Sequence, residues 1–516
     1  MQMIRYFSCI MIRKPVLPYL PICVPTAKFK FAFLETRRGS KIPTLERTYS
    51  GYKGRFVLED GSLFEGIGFG YKTSAIGEVV FNTGMVGYVE TLTDPSYRGQ
   101  ILCLTYPLIG NYGVPSMSEE DEFGLPKYFE SEQIQIKGLL IHNLAALASH
   151  WSCVKTLDQW LYEEKIPGLF GVDTRRLTKL LRINGVMKGA MSVEESSPLD
   201  SLVSDSNSSY QAERSRIYEN IKNHSYGAQN FMHEVSTQMP RKYTNARSTT
   251  DNVKTVVLLD TGTKYSIIRN ILRMGYNVVR LPWNSTYEEV MRYKPSGVVI
   301  SNGPGDPKIC GETVRTASEL MKVSKPILGI CLGFQILALA GGADTYKLKF
   351  GHRGQNKPCN DLRNNMTYIT SQNHGYGVAP ETLEKGEFKI WFSNTDDDTV
   401  EGIEHESKPI IAVQFHPEAS PGPNDCIFIF RRFKDLIESS DGSYLSSLDM
   451  NLVSRRRVDV TNSSTAETNT NSNTNANQNN LTSELDDLCD KSSDLSKFEP
   501  IPSKKKLNNR RKHDTR

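Results

Sequence analysis

The strongest constraint on the fold is a series of continuous apolar strands that alternate with helices between residues 253 and 331. VKTVVLLD, SGVVIS and PILGI are apolar along almost their whole length, and an intervening segment such as KYSIIRNILRMG has helical periodicity. Strands that are buried on both faces and joined by helices predict an α/β fold with a mostly parallel, doubly wound sheet. Ligands of such sheets lie at the carboxyl ends of the strands, so functional residues are expected there.

One cysteine follows the last of these strands at a tight corner. The sequence GICLG places Cys331 between the strand PILGI and a helix-like run. This pattern is typical of a nucleophile elbow, in which the turn exposes the side chain and the helix N-terminus favours a thiolate and an oxyanion. A small buried cysteine gives the same pattern, since free cysteine is among the most buried residue types. The two interpretations are separated only by finding a base elsewhere in the chain.

The segment PIIAVQFHPE supplies a candidate base and a carboxylate to orient it. An apolar strand runs into His416, and in an extended chain Glu418 projects to the same face of the strand. That carboxylate can hold the imidazole in one tautomer and stabilise its cation. His374 is a rival base, but no carboxylate is near it in the sequence. Together with Cys331, the pair predicts a catalytic triad rather than a salt bridge at the rim of the sheet.

Other motifs exclude several kinds of site. The loop SNGPGDP contains Gly303 and Gly305, which allow the backbone to approach a ligand closely, but no GK[ST] follows, so a P-loop is not predicted. The nine cysteines are scattered without a CxxC pair or a His/Cys cluster at zinc spacing. We therefore predict neither a metal site nor a disulfide framework, and a reducing compartment fits the chain better.

The remaining sequence divides by composition. A β-rich stretch with later helices begins near Arg55, and FVLEDGSLFEG predicts a hairpin around Asp60-Gly61. The Asn/Thr/Ser-rich tail cannot bury enough apolar surface to offset its ordering entropy. We predict five segments: a basic, disordered leader (1–51), a β-rich α+β domain (52–191), a linker with a little structure of its own (192–252), the α/β domain (253–440) and a disordered tail (441–516).

Charge and hydropathy limit the partners. A net charge of +4 is small for 516 residues and gives no argument for nucleic-acid binding. The basic cluster KKKLNNRRKHDTR is consistent with a solvated tail or with a nuclear or nucleic-acid signal, and we favour the first. No run of 18 or more apolar residues is present, so no membrane span is predicted. The basic leader is typical either of an organellar transit segment or of an unstructured extension.

The motifs together resemble a known family. GICLG, QFHPE and SNGPGDP resemble class I glutamine amidotransferases. In the first domain, FNTGMVGYVETLTDPSYRGQ and GLFGVDTRRLTKLLR are similar to the small subunit of glutamine-dependent carbamoyl-phosphate synthetase, especially to that segment of the animal multifunctional pyrimidine-synthesis protein. The resemblance covers residues 52–440. Amidotransferases serving anthranilate or guanylate synthesis are an alternative, but they lack the first domain.

The resemblance implies a mechanism and a set of contacts. Cys331 would attack the carboxamide of L-glutamine to form a γ-glutamyl thioester, and His416, oriented by Glu418, would protonate the departing ammonia and then activate water. Glutamine contacts are implied for eight further residues: Ser96, Gly303, Gly305, Leu332, Gln335, Asn373, Gly375 and Tyr376.

The resemblance also implies a partner. Ammonia would travel through a tunnel to a large synthetase subunit or domain, which makes carbamoyl phosphate from bicarbonate and ATP for pyrimidine or arginine synthesis. No cofactor is then expected in this chain, because ATP and its metal would be bound by the partner. Similarity to a cytosolic protein leads us to predict the cytoplasm, and the basic leader permits mitochondria as the alternative.

One residue departs from the family pattern. Family members usually read GICLGHQ, and here Phe334 replaces the histidine. The larger apolar ring could shift the glutamine pocket and so weaken the triad. The second hypothesis is therefore a regulatory or scaffolding subunit of the same complex. Because Phe334 is not the triad base and Cys331 is present, we favour the active enzyme.

Overall fold

The computed structural model of the chain describes residues 52–193, 208–245, 253–383 and 387–439. The leader and the tail lie outside these ranges, as do residues 194–207, 246–252 and 384–386. The first range contains β1 (Lys53–Leu58), β2 (Leu63–Gly70), β3 (Ser74–Asn82), α1 (Tyr88–Leu92), β4 (Gln100–Leu104), β5 (Leu108–Ile109), β6 (Gly138–Leu140), β7 (Asn143–Leu144), α2 (Leu157–Glu163), β8 (Pro167–Phe170), α3 (Thr174–Asn184) and β9 (Met187–Ser192).

Seven of these strands close into a barrel in the order β1-β2-β8-β6-β4-β3-β9. The predicted hairpin around Asp60-Gly61 is confirmed, because β1 and β2 pair antiparallel with Val57 opposite Leu63. A loop after α1 matters for the site described below. There Asp94 accepts a hydrogen bond from the Ser96 N–H at 2.9 Å and so fixes a short 3-10 helix, Pro95–Tyr97.

The later ranges form one large sheet with its helices. They contain α4 (Ser208–Asn223), α5 (Met232–Val235), β10 (Arg241–Tyr243), β11 (Thr255–Asp260), α6 (Tyr265–Arg273), β12 (Asn277–Pro282), α7 (Tyr287–Arg292), β13 (Gly297–Ile300), α8 (Gly311–Met321), β14 (Ile327–Ile330), α9 (Leu332–Ala340), β15 (Thr345–Asp361), β16 (Met366–Val378), α10 (Pro380–Leu383), β17 (Phe388–Asn394), β18 (Val400–His405), β19 (Ile410–Val413) and α11 (Phe428–Glu438).

Ten strands form this sheet, in the order β10-β12-β11-β13-β14-β19-β18-β17-β15-β16. The five strands from β12 to β19 are parallel neighbours. The five others join antiparallel, so the prediction of a mostly parallel sheet is wrong for half of it. The reason is visible in β15 and β16, which are long and partly exposed, as strands of antiparallel sheets often are.

Helices cover both faces of the parallel strands. On one face Leu320 of α8 and Ile336 of α9 are fully buried in a large apolar cluster. On the other face Ile268 of α6 and Phe433 of α11 belong to a second apolar cluster. Each such side chain stabilises the fold by about 1.5–3 kcal/mol through its burial. The carboxyl ends of β11, β13, β14 and β19 are thereby held at one edge, where the predicted site residues follow them.

The segment predicted as a linker takes part in this packing. β10 pairs antiparallel with β12 at the edge of the sheet. Tyr226 and Phe231 are nearly buried, with their ring centroids 5.0 Å apart. The described part of this segment is therefore attached to the site rather than independent of it. Within the four described ranges, no helix combines the length and apolarity that crossing a bilayer would require.

Candidate active site

The corner at Cys331 has the geometry of an elbow. β14 ends at Ile330, Cys331 has φ 55° and ψ −101°, and α9 begins at the next residue. A non-glycine residue with positive φ is strained by about 1–3 kcal/mol, and such strain is concentrated at functional sites. The glycines on either side are required by close packing: a Cβ added at Gly333 would lie 2.0 Å from the Ile300 carbonyl oxygen, and one at Gly329 would lie 2.7 Å from the Gly333 carbonyl oxygen.

The Cys331 thiol lines a cavity although only 2% of the residue is exposed. The cavity is narrow, with a water-accessible volume of about 20 Å³. The Cys331 Sγ donates to the Asn373 carbonyl oxygen and accepts from the Gln414 Nε2, each at 3.6 Å. The thiol therefore lies at the wall of the cavity among polar groups rather than being enclosed by apolar side chains alone.

His416 and Glu418 meet as the sequence predicts, but by a different route. The His416 Nδ1 lies 2.6 Å from the Glu418 Oε1. Residues 417 and 418 form a turn, closed by the Ala419 N–H donating to the His416 carbonyl oxygen at 3.2 Å, so the expectation of an extended chain here is wrong. The Nε2 atom of His416 is buried and has no hydrogen-bond partner among the described residues.

Charge fixes the protonation state of this pair. Burial alone would lower the pKa of His416, but the negative charges of Glu418 and of Cys331 outweigh it and raise that pKa to about 10. Burial likewise opposes ionisation of Glu418, but Lys264 and His416 lower its pKa to about 2. At neutral pH the site therefore holds an imidazolium paired with the Glu418 carboxylate.

Lys264 is the functional residue that sequence reasoning missed. Its Nζ donates to the Glu418 Oε1 at 2.9 Å, and both side chains are almost completely buried. The charges of Glu418, Glu130 and Asp94 overcome the burial penalty and raise the pKa of Lys264 above its usual value. Its position just past the carboxyl end of β11, where ligands of such sheets lie, was the available signal.

The structure brings most of the predicted glutamine contacts to the same cavity. The seven that line it together with Cys331 are Ser96, Gly303, Gly305, Gln335, Asn373, Gly375 and Tyr376. The side chain of the eighth, Leu332, packs into the apolar core instead. Its backbone N–H, the first of α9, has no acceptor within the described part of the chain, so Leu332 can serve a ligand only through the backbone.

The barrel contributes directly to this cavity. The Asn302 Nδ2 donates to the Ser96 Oγ at 3.0 Å, which ties the loop after α1 to the end of β13. The Asn373 Nδ2 donates to the Asp94 Oδ2 at 2.9 Å, which ties the same loop to β16. Neither domain alone therefore forms the cavity. Two further lining residues belong to segments already discussed, namely Pro304 of SNGPGDP and the rival base His374. Four others carry no motif in the sequence: Glu78, Gln100, Tyr226 and Arg353.

The rival base, His374, is already engaged. Its Nδ1 lies 2.9 Å from the Tyr376 carbonyl oxygen and its Nε2 lies 3.2 Å from the Gln372 Oε1. Burial is the main cause that holds the pKa of His374 well below its usual value, and the positive charge of His352 is the second cause. A base with both nitrogens occupied is a poor candidate for proton transfer, so His416 remains the better one.

A second buried cluster has the residue types of a metal site. One ligand atom each from His352, His374 and Glu401 lies within 4.8 Å of the others. His352, however, already pairs with Asp397 at 2.8 Å and with Glu401 at 3.3 Å, and these carboxylates overcome burial to raise its pKa to about 9. A protonated imidazole does not bind metals, so the cluster is better described as an ion-pair network.

Phe334 lies away from the cavity. Its side chain is fully buried in the apolar cluster beneath α8 and α9, and it is absent from the cavity lining. Its ring therefore fills the core on one face of the sheet. The structure gives no sign that it displaces the glutamine contacts.

Comparisons with known proteins agree with this geometry. The family profile described as carbamoyl-phosphate synthase small chain, CPSase domain, matches residues 56–191, and the profile of glutamine amidotransferase class-I matches residues 257–436. A carbamoyl phosphate synthase small chain from Pyrococcus furiosus is 48% identical, over 75% of this chain and 98% of the relative.

Relatives assigned to two pathways are similar to this chain. The arginine-specific small chain of Saccharomyces cerevisiae is 39% identical over 79% of this chain and 98% of its own length. The pyrimidine-specific small chain of Bacillus subtilis is 42% identical over 75% of this chain and 97% of its own length. The similarity thus spans both domains that contribute to the cavity.

Proposed function

The chain belongs to the family of carbamoyl phosphate synthase small chains, and from that membership we propose that Cys331, His416 and Glu418 are the triad of its glutaminase activity. The family supports the role of a glutaminase subunit that supplies ammonia for carbamoyl phosphate synthesis. The residue assignment is supported by two observations: the elbow thiol and seven predicted glutamine contacts line one cavity, and the charge of Cys331 acts on the imidazole of the buried His416–Glu418 pair.

The reaction follows from the positions of these groups. The Cys331 thiolate attacks the carboxamide carbon of glutamine, and the carbonyl oxygen becomes an oxyanion in a tetrahedral intermediate. The imidazolium of His416 gives its Nε2 proton to the leaving nitrogen, so that the C–N bond breaks and ammonia departs. His416, now neutral, takes a proton from water, the hydroxide attacks the γ-glutamyl thioester, and glutamate and the thiol are released.

Two further groups support these steps. The unpaired N–H of Leu332, at the start of α9, is a donor for the oxyanion. The N–H of Gly333 is not available, because it donates to the Ser301 carbonyl oxygen at 3.0 Å. Lys264 compensates the charge of Glu418, which keeps that carboxylate ionised and able to orient His416.

We assign the synthetase chemistry to a partner. Membership of the small-chain family implies a large subunit that receives the ammonia, and the sequence contains no P-loop motif for ATP. ATP and its metal are therefore placed on that partner, and no cofactor is assigned to this chain.

Labelling of the nucleophile tests the proposal. A diazo-ketone analogue of glutamine is expected to alkylate Cys331 stoichiometrically, since the activated thiolate is the most reactive thiol at the cavity. Mass spectrometry of the digested protein locates the label, and excess L-glutamine should protect. If the label were found on another cysteine, or if glutamine did not block the labelling, a scaffolding subunit would be favoured.

Replacing Phe334 by the histidine usual in the family tests whether this residue silences the triad. We expect Phe334→His to change the kcat/KM for glutamine by less than about threefold, because the ring does not line the cavity. The free energy of unfolding should fall by about 1–3 kcal/mol, because a polar ring replaces a fully buried apolar one. Steady-state kinetics and urea unfolding measure both quantities.

The matched control is Phe433→His, in the apolar cluster on the opposite face of the sheet. This variant should lose a similar amount of unfolding free energy. A tenfold or larger gain in glutaminase activity specific to Phe334→His would show that the native residue restrains the enzyme, and would revive the regulatory alternative.

A further inference from the structure

A residue of the barrel domain (residues 52–193) caps the helix that follows Lys264. Lys264 is the N-cap residue of α6, and a lysine has no acceptor with which to cap the first N–H groups of a helix. Glu130 supplies both acceptors instead. Its carbonyl oxygen accepts from the Tyr265 N–H at 2.9 Å, and its Oε2 accepts from the Ser266 N–H at 3.0 Å. The segment that carries Lys264 is thus held by a residue of the other domain.

The carboxylate of Glu130 also belongs to an ion-pair network across the domain contact. Its Oε1 accepts from the Arg269 Nη1 at 3.3 Å, one turn further along α6. The Nε of Arg269 donates to the Oδ2 of Asp121, a second residue of the barrel domain, at 2.6 Å. Glu130 and Arg269 are at most 6% exposed. A buried network of this kind fixes the relative position of its members, because each unpaired charge in it would be costly.

The barrel domain holds Glu130 next to a second carboxylate, Asp94. The Glu130 N–H donates to the Thr93 Oγ1 at 3.0 Å, and the Thr93 hydroxyl donates to the Val89 carbonyl oxygen in α1 at 2.9 Å. Asp94 is the next residue and accepts from Asn373 of the sheet at 2.9 Å. Two carboxylates are therefore presented to the α/β domain from one well-anchored position.

Both carboxylates act on the lysine that pairs with the proposed triad. Burial alone would lower the pKa of Lys264. Three carboxylates overcome this effect and hold that pKa above its usual value: Glu418, Glu130 and Asp94. Only Glu418 belongs to the α/β domain. The barrel domain therefore compensates part of the Lys264 charge, and so leaves more of the Glu418 charge to act on His416.

The other charged groups around Glu130 are Lys264, Arg269 and Glu90 of α1. Burial raises the pKa of Glu130, and the charges of Lys264 and Arg269 oppose this effect. Burial is also the main cause that raises the pKa of Glu90 to about 7, and the charge of Glu130 acts in the same direction. Above about pH 8 Glu90 is ionised, so its titration does not contribute to pH dependence in the alkaline range.

We propose that Glu130 is a positioning residue of the glutaminase, through which the barrel domain holds Lys264 against Glu418 and so orients the catalytic imidazole. This inference rests on the proposed function, which assigns the triad. Glu130 does not line the cavity at Cys331, so its effect passes through Lys264 and not through contact with the substrate. The barrel domain then contributes to the chemistry as well as to the cavity wall.

Removing the charge of Glu130 in the full chain tests this role. Glu130→Gln keeps the size of the side chain and an oxygen that can accept from Ser266. We expect kcat for glutamine to fall about tenfold, with KM within about twofold of the wild-type value. The alkaline limb of kcat/KM should move to lower pH by about 0.5 unit or more, because a less compensated Lys264 lowers the pKa of His416. Glutamate release from about pH 8 to 11 measures both effects.

Two control variants separate this role from a merely structural one. Asp121→Asn breaks the 2.6 Å pair with Arg269 in the same network, but Asp121 does not pair with Lys264, so the alkaline limb should stay in place. Glu132→Gln removes an exposed carboxylate two residues from Glu130, one that pairs with Arg241 at 2.6 Å. It should change neither kcat nor KM, since exposed pairs contribute little.

Two further variants keep the charge of Glu130. Glu130→Asp shortens the side chain, so kcat should fall but the alkaline limb should remain at the wild-type position. Ser266→Ala removes a hydroxyl that donates to the Glu130 Oε2 at 2.6 Å, and should lower kcat about threefold without changing KM.

The possible outcomes lead to different conclusions. If Glu130→Gln lowered kcat no more than Asp121→Asn does and left the alkaline limb unmoved, Glu130 would only join the domains, and the proposal would be overturned. An increase in KM at unchanged kcat would overturn it as well. If Glu130→Gln cannot be purified, Ser266→Ala decides, and an unchanged kcat in that variant would contradict the proposal. Absence of glutamine hydrolysis by the wild-type protein would instead contradict the proposed function itself.

Discussion

Replacing Cys331 by alanine should abolish glutamine hydrolysis, lowering kcat by about 10⁴-fold or more, because no other group can form the thioester. Alanine keeps the Cβ and thus the same strain at φ 55°, so the elbow and the cavity should persist. In complex with the synthetase partner, the variant should still make carbamoyl phosphate from ammonium salts at the wild-type rate. Glutamate release and carbamoyl phosphate formation, assayed side by side, measure the two activities.

Cys310→Ala is the matched control. Cys310 is as buried as Cys331, but it lies at the start of α8 and does not line the cavity, so glutaminase activity should be retained. If Cys331→Ala hydrolysed glutamine normally, the nucleophile would be misassigned. If it also lost ammonia-dependent synthesis, the substitution would have damaged the complex, and glutaminase loss alone would no longer identify the nucleophile.

The sequence was sufficient for the elbow because the features that define it are local. A continuous apolar strand, two glycines and a helix-like run lie next to one another, and Gly329 and Gly333 are indeed where backbone contacts leave no space for a Cβ. The contact between His416 and Glu418 was predicted correctly, but the argument for it, an extended chain, was incomplete. A separation of two residues suits both an extended strand and a tight turn, and only the tertiary structure distinguishes them.

Contacts between segments that are far apart in the sequence could not be predicted from it. Lys264 reaches Glu418 across 154 residues, and no local pattern marks a lysine that will be buried against a carboxylate. The same applies to the Asn373 Nδ2, in the sheet, which donates to the Asp94 Oδ2 of the barrel domain across 279 residues. The antiparallel half of the sheet was missed because β15 and β16 have mixed, partly exposed patterns that periodicity alone does not assign.

The buried chain of charges from Lys264 through Glu418 to His416 supports a second large prediction. Glu418→Gln should lower kcat for glutamine by about 10³–10⁴-fold, because the imidazolium loses its orienting charge and its pKa falls. The free energy of unfolding at pH 7 should fall by about 3–5 kcal/mol, because the buried Lys264 loses its paired carboxylate and keeps only the more distant charges of Glu130 and Asp94. Kinetics and urea unfolding, each from pH 5 to 10, provide the measurements.

His416 and Glu418 contribute to the free energy of unfolding with opposite pH dependences. The pKa of His416 is about 10 in the folded chain, above its unfolded value, so its stabilisation is complete below about pH 6.5 and is lost as pH rises through 10. Glu418 has a folded pKa of about 2, so its contribution is present above about pH 4.5 and is lost as pH falls towards 2. In Glu418→Gln the alkaline decline in stability should be smaller than in the wild type.

Two further variants separate charge compensation from catalysis. Glu404→Gln removes a carboxylate from a partly exposed pair with Arg363, at 3.4 Å, and should cost less than about 1 kcal/mol with no loss of activity. Lys264→Met combined with Glu418→Gln removes both buried charges and should regain much of the lost stability, since replacing a whole buried pair is often neutral. Activity should stay low in that double variant, because His416 still lacks the carboxylate. Recovery of activity together with stability would show that Glu418 serves only to neutralise Lys264, and that the imidazole acts without an orienting charge.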